Sequence, residues 1–204
     1  MPSPLRARAF RTLGAVMLLV ALLVPGSAPA LGADDEPLVL RAGTDQDLQV
    51  LNPWLSTLVV DYEVYTLNYD LLVGFGPNLE PVPGFADEWE SSSDGLTHTF
   101  HIREGMTWSD GEPATCEDAR WTYQLVLDSL ETEYGGLGSY YLEPYLTNAG
   151  LESVICEGES LVVTTAFPTT LLTQAYVPIL PKHIWSQYTI EQIQNAEATD
   201  FFSN

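Results

Sequence analysis

The 204 residues carry 28 Asp and Glu against seven Lys and Arg, a formal charge of −21. Such a balance makes nucleic acid and anionic lipid poor partners, because both repel an acidic surface. A solvated acidic surface accounts for the charge, with a field that draws in cationic ligands as the alternative, and charge alone says nothing of fold.

At the N-terminus, Arg6, Arg8 and Arg11 precede an apolar run from Leu13 to Val24, and Ala28-Pro29-Ala30 follows. This order of basic, apolar and small residues is that of a secretory signal peptide cleaved after Ala30. The run is too short to cross a hydrocarbon core of about 30 Å as a helix. Cleavage would leave four basic residues against 28 acidic ones, a charge of −24. In a secreted chain the two cysteines, Cys116 and Cys156, pair by default.

Beyond the signal, Leu38 to Ala42 reads as a short apolar strand ended by Gly43. Asn52-Pro53 reads as a helix cap followed by proline at the first helical position. Val60, Val64, Leu67 and Leu71 fall at helical spacing and predict a helix through Asp61 to Asp70, with Asp61, Glu63 and Asn68 on its polar face. Leu71 to Phe75 reads as a strand before the turn Gly76-Pro77-Asn78, and Pro81 and Pro83 are expected to bar regular structure.

The densest pattern follows. From Leu96 to Arg103 the residues alternate, with Leu96, His98, Phe100 and Ile102 on one face and Thr97, Thr99, His101 and Arg103 on the other, as a half-buried strand requires. Asp94-Gly95 makes the hairpin turn from Trp89–Ser91, and Asp110-Gly111 ends the next segment in the same way. Thr115 and Asp118 have capping-box spacing, and Ala119, Tyr123, Val126, Leu127 and Leu130 continue at helical intervals. Trp89, Phe100, Ile102 and Trp108 are expected in or near the core. Tyr134 to Tyr141 is rich in glycine and tyrosine, without the spacing of a nucleotide loop. Leu151–Ile155 and Leu161–Ala166 flank Glu157-Gly158-Glu159 as a second hairpin, and Thr189 with Gln192 predicts one more capped helix, Ile190 and Ile193 on one face.

The abundant carboxylates invite a glycosidase reading, but abundance is not pairing, and most of them sit at turns, helix starts or polar faces. His98 and His101 lie on opposite strand faces and cannot share a metal, and His183 reads as structural. No Gly-x-Ser-x-Gly or His-Glu-x-x-His motif is spelled. The expectation is a protein that is not an enzyme and uses no cofactor or metal.

Phe85-Ala86-Asp87-Glu88-Trp89-Glu90, then Asp94 through Gly111, then Thr115 to Asp118 together resemble the signature region of the family 5 extracellular solute-binding proteins, the peptide, oligopeptide and nickel receptors of ABC importers. Leu51-Asn52-Pro53 and Pro178 through Trp185 resemble two further family strings. The resemblance implies an α/β fold of the two-lobed, type II periplasmic-binding-protein kind. Of that fold this sequence would hold, after the signal peptide (residues 1–30), the start of lobe 1 (31–59), an inserted subdomain (60–167) and the return to lobe 1 (168–204), with the second lobe lying beyond.

The resemblance also implies ligand-binding residues. Those after Leu51-Asn52-Pro53 approach the ligand in the family, which nominates Thr57, Leu58 and Val59; packing beneath the first helix is the alternative. Tyr140 and Tyr141 would border the same cleft, or stand as exposed loop tyrosines. The implied partners are a peptide or other small solute and the membrane permease of an ABC importer, with no nucleic acid. The receptor would be a monomer, periplasmic or on the outer face of the cell membrane, without the lipid-anchor cysteine that many relatives carry near position 30. Nickel complexes and oligosaccharides remain open as ligands, and a secreted adhesion module is the reading from another class.

Overall fold

The alternation from Leu96 to Arg103 becomes one of the two central strands of the sheet on which the rest is built. The computed structural model describes residues 39, 41–48, 52–56, 58–130 and 143–195, with only the backbone of 143–145 and 195. The chain divides after Gly43 into Met1–Gly43 and Thr44–Asn204. In the first unit Val39 and residues 41–43 are exposed and lie outside any helix or strand, so the expected strand at Leu38–Ala42 is not formed at its described positions. A short apolar run supplies strand propensity but not the neighbouring backbone that a ladder needs. The predicted signal peptide lies outside the described residues.

In the second unit the order is α1 (Val59–Asn68), β1 (Val73–Phe75), β2 (Pro81–Pro83), β3 (Ala86–Ser91), β4 (Thr97–Ile102), α2 (Cys116–Leu130), α3 (Glu143–Asn148), β5 (Leu151–Glu157), β6 (Ser160–Thr165), a 3₁₀ turn (Leu171–Gln174), α4 (Lys182–Trp185) and α5 (Ile190–Asn195). The sheet is antiparallel in the order β3-β4-β6-β5. His98, Phe100 and Ile102 of β4 and Leu161, Val163 and Thr165 of β6 are buried, while their alternates are half-exposed, as period two demands. Phe100 stands opposite Trp89 on one side and Leu161 on the other. Gly95 makes its turn at φ 71° and Gly158 makes the β5–β6 turn at φ 63°, a region costly for any residue with a Cβ.

Helix α2 lies against β5 and β6 and buries Ala119, Tyr123 and Val126. Its start realises half of the expected capping box. The Asp118 carboxylate accepts the Thr115 N–H at 2.8 Å, but the Thr115 hydroxyl donates to that same oxygen at 3.2 Å and does not cap the Asp118 N–H. The other oxygen of Asp118 accepts the Lys182 N–H at 2.8 Å, so one carboxylate caps both α2 and α4. The Thr189–Gln192 box forms in both directions, at 2.9 and 3.2 Å. Cys116, the first residue of α2, is disulfide-bonded to Cys156 of β5 with Cα atoms 6.0 Å apart, which staples the second hairpin to that helix.

Three local expectations are corrected. Asn52-Pro53 opens a single turn and not a helix: the Asn52 side chain accepts the Trp54 N–H at 2.9 Å and donates to the Ile193 carbonyl at 3.0 Å, and α1 begins only at Val59. Pro81 and Pro83 form a strand, β2, paired with β1. Gly76 N–H bonds to the Glu80 carbonyl, so every second residue of β2 faces the partner and the two prolines fall on the outward phase, where a missing N–H costs nothing. Asp61 is not on a polar face. It is fully buried and accepts a 2.7 Å hydrogen bond from Ser56 Oγ, while Leu67 of the expected apolar stripe is 84% exposed.

Candidate ligand groove

The start of α1 is braced from beneath. Ser56 Oγ accepts the Leu58 N–H at 3.3 Å and donates to Asp61, so a hydroxyl and a buried carboxylate hold the extended residue Leu58 in front of the first turn. Val59, immediately after it, is 61% exposed. Behind the helix, burial raises the pKa of the Tyr65 phenol, with a hydrogen bond to Ser56 opposing; burial likewise raises that of Tyr69, against a hydrogen bond to Trp185. Both phenols therefore remain protonated at neutral pH.

Between α1 and the β1–β2 hairpin runs a groove of about 670 Å³. One wall is Val59, Tyr62, Glu63 and Thr66 from successive turns of α1; the other is Gly74, Phe75, Val82 and Pro83 of the hairpin. Tyr69, Asp70 and Tyr176 close it, and the Tyr176 ring stacks on Phe75 with centroids 4.7 Å apart and planes 11° from parallel. Gly84, also a lining residue, lets two backbones touch: a Cβ there would meet the Leu71 and Leu72 carbonyl oxygens. Glu63 and Asp70 are the charged lining residues. The volume lies within the range of small-molecule sites, and apolar walls with a few polar groups are their usual composition.

A second groove, of about 750 Å³, borders another face of α1, with Val64 and Leu67 facing Met106, Trp108 and Ile184. None of the nominated ligand-binding residues lines it.

Among those nominated residues, Val59 lines the first groove and Leu58 stands before the helix without lining it. Thr57, Tyr140 and Tyr141 lie outside the described residues. Tyr62, Phe75 and Tyr176 were not nominated. A tyrosine three positions from Val59 is a detectable helical neighbour, but nothing in the sequence joins Tyr176 to Phe75, which meet only through the fold.

The histidines stand apart from this groove. His98 is buried on the core face of β4, 2.9 Å from Ser91 Oγ, and burial lowers its pKa. His101, on the opposite face, is 2.9 Å from the Asp87 carboxylate, which raises its pKa. His183 of α4 is held 2.7 Å from Asp110. Hydrogen bonds from Arg120 and Lys182 bring Glu117 down to about 2, joining α2 to α4.

Comparison with known proteins places this architecture. The oligopeptide-binding protein AppA from Bacillus subtilis, solved with a nonapeptide, superposes with a TM-score of 0.61 at 21% identity, over 72% of this chain and 28% of its own. The chain thus has the fold of type II periplasmic binding proteins and covers part of it. The oligopeptide-binding protein OppA of Bacillus subtilis is 32% identical over 93 residues, which is 46% of this chain and 17% of that protein. The nickel-binding periplasmic protein of Escherichia coli is 30% identical over 119 residues, 58% of this chain and 21% of that one. The matches thus span about a fifth of the length of these curated relatives. The family model "Bacterial extracellular solute-binding proteins, family 5 Middle" matches residues 80–202, more than half the chain, and the protein belongs to that family.

Proposed function

We propose that this chain is part of the solute receptor of an ABC importer, and that it captures peptides outside the membrane for delivery to a permease. The observation that carries the reading is the groove at the start of α1. It presents Val59, one of the residues nominated from the sequence, among four aromatic side chains, Tyr62, Tyr69, Phe75 and Tyr176, on a braced scaffold. Amphipathic rings receive varied side chains at small entropic cost, which suits a receptor for peptides of mixed sequence. The task is capture and not chemistry.

In this reading residues 1–30 are a signal peptide that is removed, 31–59 open lobe 1, 60–167 are the inserted subdomain and 168–204 return to lobe 1, in a monomer outside the cytoplasm. Thr57, Leu58, Tyr140 and Tyr141 would join Val59 at the ligand. The groove is partly open to solvent, so tight binding would need a second surface to close over it, and closure rewards only a ligand that touches both.

The test is nuclear magnetic resonance of the ¹⁵N-labelled chain titrated with a tripeptide mixture, followed by mass spectrometry of the recovered peptides. Expected are shifts at Val59, Glu63, Phe75 and Tyr176 and peptides returned intact. Peptides that leave these amides unmoved, or that return cut, would overturn the reading.

A further inference from the structure

We infer that the groove between α1 and the β1–β2 hairpin selects peptides with a basic side chain, lysine or arginine. The inference rests on the capture reading above and adds to it the charge of the preferred ligand.

Two independent features converge. The first is the ring surface: Phe75 and Tyr176 stack as a half-buried pair on one side of the groove, and the largely buried Tyr62 of α1 also lines it. Aromatic faces attract ammonium and guanidinium groups within about 6 Å, while the stem of a lysine or arginine packs on the same apolar wall. The second is the disposition of charge. Glu63 and Asp70 are the charged groups of the lining, both exposed, and their carboxylates form no ion pair or hydrogen bond among the described residues.

Where the second unit does pair its acids, it uses its own bases. Glu117 holds Arg120 and Lys182, and Asp87 and Asp110 hold His101 and His183. Arg103 reaches the Gly84 carbonyl. Of the three cations of Thr44–Asn204, Arg120 and Lys182 pair with Glu117 and Arg103 is held by the Gly84 carbonyl, so Glu63 and Asp70 stand solvated without an ion pair and a basic ligand would bring the counter-charge they lack. An acidic peptide would meet two like charges in the same trough, and a neutral one would leave them solvated.

The test compares Ala-Lys-Ala, Ala-norleucine-Ala and Ala-Glu-Ala, identical at their ends, on the ¹⁵N-labelled chain at low ionic strength. The lysine peptide is expected to bind about fivefold to tenfold more tightly than the norleucine peptide, and the glutamate peptide more weakly than either. In the double variant Glu63→Gln, Asp70→Asn the lysine-to-norleucine ratio should fall toward one, a ratio that cancels any general loss of fold.

Equal affinity of the lysine and norleucine peptides, with shifts still in the groove, would overturn the charge preference and leave capture standing. A lysine preference that survives the double variant would overturn the role of these carboxylates and assign the preference to the overall field. Absence of any groove shift with all three peptides would overturn the capture reading itself.

Discussion

The four-stranded sheet with α2 and the flank made of α1 and the β1–β2 hairpin both bury apolar side chains, but the flank leaves its apolar residues Val59 and Leu67 far more exposed. In the sheet Phe100, Ile102, Leu161 and Val163 are each at most 1% exposed, and polar residues face outward. In the flank Val59 and Leu67 are 61% and 84% exposed, while the carboxylate of Asp61 is buried and held by a hydroxyl. Burying apolar surface adds stability and exposing it forgoes that gain, while the buried acids of both regions, Asp61 and Asp118, are held by hydrogen bonds. The flank also carries the grooves. The sheet with α2 is the frame, and the flank is the surface on which the proposed capture would take place.

The same substitution in the two regions sharpens that division most. Phe100→Ala empties a fully buried site opposite Trp89 and Leu161 and should cost about 3–5 kcal/mol of unfolding free energy. Phe75→Ala removes a half-buried ring stacked on Tyr176 and should cost about 1–2 kcal/mol while weakening ligand binding. Urea denaturation measures both. Equal losses would erase the distinction between frame and surface.

The disulfide belongs wholly to the frame. Cys116 and Cys156 close a loop of 40 positions, and replacing both by serine should cost about 4 kcal/mol by the chain-entropy argument. The substitution should lower the denaturation midpoint yet leave peptide-induced shifts at Val59 in place wherever the protein remains folded. Loss of those shifts in the folded variant would show that the groove depends on the staple.

What the sequence could reveal divides along the same line. Strands β4 and β6, the second hairpin and the α5 capping box follow from period, turn residues and cap spacing, because these are short-range rules that the frame obeys. In the flank the same rules place α1 and β1 but not the side chains on them. Asp61 looks like a surface acid until Ser56 is seen beneath it, and the outward phase of Pro81 and Pro83 depends on which edge of β1 they meet. Val59 was reachable through its place after Asn52-Pro53, whereas Tyr176 was not, since its only link to the groove is a contact across the fold.

A smaller effect comes from the two histidines on opposite faces of β4. Burial keeps His98 neutral in the folded state, while the unfolded chain takes up a proton near pH 6.5. Its contribution is therefore complete above that pH and lost as pH falls toward the depressed folded value. For His101 the sign reverses: the Asp87 carboxylate favours the charged ring, so its contribution is complete below pH about 6.5 and lost as pH rises through the raised folded value. Stability measured from pH 8 to 5 should fall less steeply on the acid side in His98→Gln and more steeply in His101→Gln. Unchanged slopes in both variants would remove the histidines from the acid response.

Leu67→Gln is the mildest test, and its smallness is the point. The side chain is 84% exposed on α1, and leucine and glutamine have nearly equal helix propensity, so neither burial nor backbone preference opposes the change. The unfolding free energy should move by less than about 0.5 kcal/mol. A buried leucine truncated in the frame, such as Leu161→Ala, loses several times that. An apolar residue that contributes nothing to folding where it stands is a residue of a surface, and Leu67 lines the second groove with Val64 and Trp108. If Leu67→Gln instead destabilised the chain by 2 kcal/mol or more, on the scale of a core truncation, α1 would have to be packed as frame, and the division between sheet and flank would fail at its clearest residue.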